Sequence, residues 1–253
     1  MNERRVWSLV VILTATLVLN AGLGLAEERV LVNGIDADFP PFAFVDKTGV
    51  PDGFDVAVIN SIAEKRGLKV EHRQMNWDGI IASLKAGKID MIASGMSITD
   101  ARKKEVDFTL PYYKISQVLV VPKDSSLTAA EAMSGGNRIG VQRGTTEAKW
   151  MEENLIKKEG KKFELVYYDS APLSVEDVIN GRIVAAAMDD APAKDIEQRQ
   201  PVKVLGTFGM PEEEFGYAVR KEDGELLKTL EEGLKEIMAS PEWDELKKKY
   251  GVE

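Results

Sequence analysis

Short apolar runs rich in valine and isoleucine alternate with helical patterns along this chain. Residues 30–32 form the first run, and the apolar side chains within 56–63 then fall on one helical stripe. A second strand pattern follows at 69–74. Because strands and helices that follow one another in turn pack as sheets covered by helices, this alternation predicts an α/β architecture.

Apolar spacing, prolines and glycines predict the other elements. Asp55 is expected to cap a helix that runs to Arg66 and is closed by Gly67. The paired prolines of Phe39-Pro40-Pro41-Phe42 exclude regular helix or central strand there. Further strands are predicted at 89–93, 117–121, 138–141, 163–168, 183–188 and 215–219, and further helices at 80–86, from 99, from 146 and in two polar C-terminal segments.

The first 26 residues differ from the rest of the chain. Arg4 and Arg5 precede an apolar run over 6–19, and small residues lead up to Ala26. This pattern is typical of a secretory signal peptide. We therefore predict cleavage after Ala26 and a periplasmic protein. An uncleaved membrane anchor and a secreted Gram-positive protein are the alternatives.

Composition excludes several classes of function. The chain has no cysteine and one histidine, His72, which rules out a disulfide framework, a thiolate zinc site and a cysteine nucleophile. Residues 1–26 hold two arginines and one glutamate, so 31 of the 33 basic and 41 of the 42 acidic residues remain after cleavage. That negative balance opposes nucleic-acid binding. We predict no metal, no cofactor and no catalytic residue.

Polar residues follow several predicted strands, where ligands bind in open α/β sheets because loops and helix N-termini converge there. They lie at Asp36, 94–97, 142–146 and 189–190. In the stretch from 94 to Arg102, free backbone N–H groups, two hydroxyls and a guanidinium would make a clamp for a carboxylate. A capped helix with a solvated arginine is the alternative.

A series of motifs runs through the chain in a fixed order. They are Phe39-Pro40-Pro41-Phe42, Gly53-Phe54-Asp55, Trp77-Asp78-Gly79-Ile80-Ile81, Ser94-Gly95-Met96-Ser97-Ile98-Thr99 with Arg102, Asp107-Phe108 with Tyr112-Tyr113, Gly144-Thr145-Thr146, and Asp189-Asp190. Together they resemble the polar amino-acid-binding proteins of ABC transporters, the extracellular solute-binding protein family 3. The resemblance covers about residues 29–251.

The resemblance implies a two-lobed periplasmic-binding-protein fold of type II, each lobe a sheet flanked by helices. Lobe one would comprise 27–112 and 217–253, and lobe two 113–216, joined by two hinge crossings. It further implies a monomer that closes over a free amino acid by hinge motion and delivers it to a membrane permease.

The resemblance also implies how the two charges of the amino acid are bound. Arg102 would bind the α-carboxylate, helped by Ser97, the backbone of Gly95 and a backbone donor at Thr146. Asp190 would receive the α-ammonium, because a zwitterion removed from water needs each charge paired.

The remaining predicted contacts surround the ligand side chain and the ammonium. Phe39 and Trp77 would enclose the side chain, and Ser94 would assist the ammonium site. The full predicted set is Asp36, Phe39, Trp77, Ser94, Gly95, Met96, Ser97, Arg102, Gln142, Thr145, Thr146, Asp189 and Asp190.

Ligand preference is predicted from the far end of the site, which by similarity Asp36, Gln142 and Asp189 would face. Counted against Arg102, the carboxylates of Asp36, Asp189 and Asp190 leave the site net negative, which favours a ligand with an added cation. Two aromatic faces also suit a guanidinium, so arginine or lysine is expected. Glutamine is second, because Asp36 can accept from its amide while Gln142 donates to its oxygen. Arg143 would favour an acidic ligand if it faced the site.

Two other classes of protein use the same fold. A cyclohexadienyl or arogenate dehydratase would need a carboxylic acid as proton donor, such as Asp189 or Asp36 with a raised pKa. Against it, the anchors for carboxylate and ammonium look intact and no further acid is evident. A sensory ligand-binding protein with a separate signalling partner is the other alternative.

Overall fold

The computed structural model describes residues 29–252, and the predicted signal peptide lies outside the described residues. The strands are β1 (Val30–Ile35), β2 (Asp38–Phe39), β3 (Ala43–Val45), β4 (Pro51–Asp52), β5 (Lys69–Gln74), β6 (Met91–Ile92), β7 (Asp107–Phe108), β8 (Tyr113–Ile115), β9 (Gln117–Pro122), β10 (Asn137–Gln142), β11 (Phe163–Tyr168), β12 (Ala185–Asp189), β13 (Val202–Thr207), β14 (Glu213–Phe215) and β15 (Ala218–Val219).

The helices alternate with these strands. They are α1 (Phe54–Arg66), α2 (Ile80–Lys85), α3 (Asp100–Lys103), α4 (Ala129–Ala132), α5 (Thr146–Trp150), which continues as a π-helical segment over Met151–Lys158, α6 (Ala171–Ile179), α7 (Asp190–Arg199), α8 (Gly224–Met238) and α9 (Pro241–Tyr250). Between residues 29 and 252, no helix has the length and apolarity needed to cross a bilayer.

Two five-stranded mixed sheets form the body of the molecule. The first has the order β5-β1-β6-β15-β7, with β1 parallel to β5 and β6 and with β15 antiparallel to its neighbours. The second has the order β11-β10-β12-β9-β13, with β10 parallel to its neighbours and β9 antiparallel to its own. We call the parts built around them lobe one and lobe two.

A pair of short strands joins the lobes. β8 and β14 are antiparallel, with Tyr113 opposite Phe215 and Ile115 opposite Glu213. The chain leaves lobe one through β8 and returns to it through β14. The carboxyl ends of β1 and β6 in lobe one, and of β10 and β12 in lobe two, carry the polar residues predicted to bind a ligand.

Each lobe has its own apolar core. In lobe one, α1 packs against α8 and α9, and Phe54, Ile62, Leu230 and Trp243 are buried there. In lobe two, helices cover both faces of the sheet, with separate apolar clusters on each side. Because each lobe has its own core, the two lobes are separately packed bodies. They contact each other mainly at the cleft and at the pair of strands β8 and β14.

The predicted elements agree with the structure in part. Strands β5 and β11 have the predicted bounds, and α1 ends at Arg66 as predicted, with Gly67 in the left-handed conformation. The cap predicted for α1 is wrong: Gly53 is the N-cap, and Asp55 lies inside the first turn with its carboxylate buried. The strand predicted at 215–219 is two strands, β14 and β15.

Candidate ligand-binding cavity

A cavity that is partly open to solvent lies between the lobes, and its empty space, including solvent at the mouth, is about 300 Å³. Its walls are supplied by both lobes and by residues at strand ends and helix starts. The lining residues are Asp36, Phe39, Trp77, Ser94, Gly95, Ser97, Arg102, Gln142, Thr145, Thr146, Glu147 and Asp189.

Arg102 lies at one end of the cavity, on the short helix α3. Thr99 caps this helix by accepting a hydrogen bond from the Arg102 N–H at 3.1 Å. The guanidinium donates to the Ser97 carbonyl at 3.0 Å and, across the cleft, to the Gly144 carbonyl at 3.2 Å. It also stacks over Trp77, 5.4 Å from the ring centroid. The cation is thus held at the cavity wall by carbonyl oxygens and an aromatic face.

Acidic side chains surround Arg102. Burial lowers the pKa of its guanidinium from the ordinary value, and three neighbouring carboxylates oppose that shift, those of Glu213, Glu147 and Asp189. None of the hydrogen bonds described above joins Arg102 to one of these carboxylates.

Another part of the cavity wall is a contact between Asp36 and Gln142. The Gln142 side-chain amide donates to Asp36 Oδ2 at 2.7 Å, from lobe two to lobe one. Asp38 N–H donates to Asp36 Oδ1 at 3.1 Å, and the Asp36 N–H donates to Ser94 Oγ at 2.9 Å. Burial raises the pKa of the Asp36 carboxyl, and the bond from Gln142 partly offsets that rise.

Gly95 lines the cavity, but its backbone does not act as predicted. Its N–H donates to Asp55 Oδ2 at 2.7 Å and is therefore not free for a ligand carboxylate. Gly95 has φ +60°, and a Cβ there would lie 2.2 Å from Phe39 Cε1, so only glycine fits beneath that ring. Asp55 also accepts from the hydroxyls of Tyr112 at 2.7 Å and Tyr217 at 3.3 Å.

The two adjacent aspartates are placed differently from the prediction. Asp189, the last residue of β12, lines the cavity and accepts from Gln117 Nε2 at 2.9 Å. Asp190 is not among the lining residues; its carboxylate accepts from Lys194 Nζ at 2.8 Å, one turn further along α7. The predicted contact between Asp190 and the ligand stays a prediction, and in the structure Asp189 is the one of the two that lines the cavity.

Met96, the two threonines and Arg143 complete the comparison with the predicted site. Met96 is fully buried in the core of lobe one and does not line the cavity. Thr145 and Thr146 do line it, and the Thr146 hydroxyl donates to Glu213 Oε2 at 2.6 Å. Arg143 lies outside the cavity lining and donates to the Tyr167 carbonyl at 3.0 Å, so it does not favour an acidic ligand.

Comparison with known proteins identifies the family. A model of the bacterial extracellular solute-binding proteins, family 3, matches residues 31–253. This chain belongs to that family. A probable histidine-binding protein of Neisseria gonorrhoeae is 31% identical to this solute-binding protein over 218 residues, which cover 85% of this chain and 80% of the relative.

Solved structures share the architecture of this solute-binding protein. An ancestral arginine-binding protein bound to arginine is 35% identical with a TM-score of 0.80, covering 88% of this chain and 99% of the other. An ancestral amino acid-binding protein, a precursor of cyclohexadienyl dehydratase, is 33% identical with a TM-score of 0.80, covering 87% and 95%. The predicted two-lobed α/β fold of type II is confirmed.

Glu147 is a cavity residue of this solute-binding protein that sequence reasoning missed. It is 4% exposed and stands in the first turn of α5. Burial raises the pKa of its carboxyl to about 7, with repulsion from Glu213 acting in the same direction and Arg102 against it. Burial and then repulsion from Glu147 hold the pKa of Asp189 well above its ordinary value. The view that the site has no further acid is therefore wrong.

No group of three or more histidine, cysteine, aspartate or glutamate side chains within the described part of the chain is arranged to hold a metal ion. His72 lies on β5, outside the cavity lining, with its ring nitrogens 3.1 Å from Asn33 Nδ2 and 2.8 Å from Asn60 Oδ1. Burial lowers its pKa to about 4. The chemistry of the cavity is thus that of carboxylates, one guanidinium, hydroxyls and aromatic faces.

Proposed function

We propose that this protein binds a free cationic amino acid, arginine or lysine, between its lobes and delivers it to the permease of an ABC transporter. The observation that carries this proposal is the cavity lining, which has three carboxyl groups, Asp36, Glu147 and Asp189, against the single cation of Arg102. Burial raises the pKa of all three, so a ligand cation would stabilise their charged forms. A ligand with one carboxylate and two cationic groups supplies what this lining lacks.

The α-amino acid group would bind at the Arg102 end. A guanidinium binds a carboxylate through two parallel hydrogen bonds, and Ser97 stands beside it with a buried side chain. The ammonium would be received by Asp189, in place of Asp190, because Asp189 is the aspartate on the cavity.

The ligand side chain would extend between Phe39 and Trp77 toward Asp36. A guanidinium or ammonium there would pair with the Asp36 carboxylate, which accepts hydrogen bonds from two uncharged donors, the Asp38 N–H and the Gln142 amide. Glutamine remains the second choice, with its amide exchanging hydrogen bonds with Asp36 and Gln142. The ancestral arginine-binding protein supports arginine, and the histidine-binding relative supports a ligand with a basic side chain.

The experiment is a thermal-shift survey of residues 27–253, unfolded and refolded to remove copurified ligand. A ligand that binds only the folded state stabilises it by about 2.7 kcal/mol at 100 times its dissociation constant. We expect the largest shift with arginine or lysine. A shift with glutamine alone would overturn the cationic assignment, and no shift with any amino acid would overturn the proposal as a whole.

A second candidate is a dehydratase of the cyclohexadienyl or arogenate type. The observation that favours it is Glu147, a buried acid inside the cavity whose pKa of about 7 suits a proton donor at neutral pH. Conversion of prephenate or arogenate by the purified protein, abolished by Glu147→Gln, would establish it. Absence of turnover, together with tight binding of an amino acid, would exclude it.

A further inference from the structure

The carboxyl of Glu147 is buried at the cavity, where hydrogen bonds from the Thr145 side chain and from its own backbone N–H partly offset the rise in its pKa. Its side chain is buried at the start of α5 and lines the cavity beside Arg102. Two other carboxylates lie near Arg102: that of Glu213, which receives the Thr146 hydroxyl, and that of Asp189, which receives the Gln117 amide. Of the three, Glu147 and Asp189 line the cavity and Glu213 does not.

A purely structural role for Glu147 would be to neutralise Arg102. A carboxylate in that role normally forms short, often paired hydrogen bonds with the guanidinium. The guanidinium instead donates to the carbonyl oxygens of Ser97 and Gly144, at 3.0 and 3.2 Å. Glu147 is close enough to Arg102 to feel its charge, yet the cation is oriented by other groups.

We propose that Glu147 and Asp189 together form the seat of the ligand's α-ammonium group, and that Glu147 makes the protein select ligands that carry an amino nitrogen. This rests on the proposed function, since it requires that an amino acid occupies the cavity. The two residues come from neighbouring strand ends of lobe two, Asp189 at the end of β12 and Glu147 just beyond β10.

The chemistry of an ammonium group fits two carboxylates. It has three N–H donors, so it can bond both acids and keep a third donor for another acceptor. Its charge also stabilises two buried carboxyl groups: burial raises the pKa of both, and Glu147 further raises that of Asp189. A carboxylic acid without the amino group would give neither acid an ammonium partner and would bring in a further negative charge.

The test compares arginine with 5-guanidinopentanoic acid, which has the same length but no α-amino group. Calorimetry would measure both ligands on the wild type, on Glu147→Gln and on Glu153→Gln. Glu153→Gln removes the same charge from the π-helical continuation of α5, where the side chain is exposed.

We expect wild-type protein to bind arginine at least about a hundredfold more tightly than the analogue. Glu147→Gln should lose about tenfold or more in affinity for arginine, as expected when a charge-assisted hydrogen bond is removed, while its affinity for the analogue stays within about threefold or rises. Glu153→Gln should change neither.

Equal losses for both ligands in Glu147→Gln would overturn the proposal, because Glu147 would then act through Arg102 or the fold. If the wild type bound arginine less than about tenfold more tightly than the analogue, that result alone would overturn the proposal. If arginine does not bind, the proposed ligand fails, and the same cycle with glutamine and 4-carbamoylbutanoic acid decides the role of Glu147. Binding of neither amino acid overturns both proposals.

Discussion

Asp189 and Asp190 stand on either side of the point where β12 becomes α7. Asp189 still belongs to the strand, so its side chain follows the alternation that points into the cavity, whereas Asp190 is the first helical residue and pairs with Lys194. A shift of one residue along a strand reverses the face to which a side chain points. The family motif contains both residues, and sequence alone does not decide between them.

Exchange of each aspartate for asparagine separates their roles. Asp189→Asn should weaken amino-acid binding by at least about thirtyfold, or roughly 2 kcal/mol, because a ligand cation would lose its buried partner. Asp190→Asn should leave the dissociation constant within about threefold. Isothermal titration calorimetry measures both dissociation constants. If Asp190→Asn weakened binding more than Asp189→Asn, Asp190 would be the residue that binds the ammonium.

Asp55 shows a different kind of residue that the sequence conceals. As the second residue of a helix it matches an N-terminal acid, yet its carboxylate is fully buried, with hydrogen bonds from Gly95, Tyr112 and Tyr217 and no hydrogen bond from a cation among them. Burial raises its pKa to about 7, from 3.8 in the unfolded chain. Asp55 thus links Gly95 at the cavity to Tyr112, just before β8, and to Tyr217, just after β14.

The raised pKa of Asp55 makes a prediction about stability. Between pH 4 and 7 the folded protein keeps a proton on Asp55 that the unfolded chain has lost, so this group's contribution falls as the pH rises through that window. Relative to Asp55→Asn, the free energy of unfolding of the wild type should fall by up to about 4 kcal/mol from pH 4 to 7. Urea titrations at several pH values measure this, and a constant difference would contradict it.

Glu147 was missed because its position matches an ordinary pattern. An acid in the first turn of a helix interacts favourably with the helix dipole and usually faces solvent. Here α5 begins at the cleft, so the same position is buried against the other lobe. Only the arrangement of the two lobes reveals that this acid lines a cavity.

At the scale of helices and strands, predictable elements are those whose local pattern agrees with their environment. α1 has an apolar stripe and a terminal glycine, and its presence and its C-terminal end follow from them. β14 and β15 look like one strand in sequence but belong to different sheets, because the chain turns at Gly216 and Tyr217 to leave the crossing. Helices α4, α6 and α7 and strand β13 were not predicted, since their short patterns are completed only by packing on the second sheet.

The packing of α8 on α1 yields a matched pair of glycine substitutions. Gly233 is buried, and a Cβ there would lie 2.7 Å from Ile62 Cγ2, whereas Gly224, at the start of the same helix, has open space around it. Gly233→Ala should cost roughly 1–3 kcal/mol of stability through overpacking. Gly224→Ala should gain about 0.4–1 kcal/mol by restricting the unfolded chain.

Chemical denaturation of the two variants measures these changes against the wild type. Both substitutions add one methyl group to one helix, so helix propensity alone would stabilise both. A stable Gly233→Ala variant would mean that α1 and α8 separate easily, and it would contradict the tight contact with Ile62.

At the scale of the whole molecule, the cleft is closed by direct contacts between the lobes. Gln142 of lobe two donates to Asp36 of lobe one, and Arg102 of lobe one donates to the Gly144 carbonyl of lobe two. Both contacts lie on the cavity wall, where a ligand would compete for the same groups. Because these bonds exchange for bonds to water on opening, they hold the lobes together only weakly without a ligand.

We therefore expect the ligand-free protein in solution to spend much of its time open, and a bound amino acid to shift the population toward the closed arrangement by its contacts with both lobes. Small-angle scattering should show a smaller radius of gyration at saturating arginine than without it. Arg102→Ala should show no such compaction at the same arginine concentration, because the ligand carboxylate loses its partner. An unchanged radius of gyration in the wild type, with binding verified by calorimetry, would mean that the closed cleft is the resting state and that ligands enter it without lobe motion.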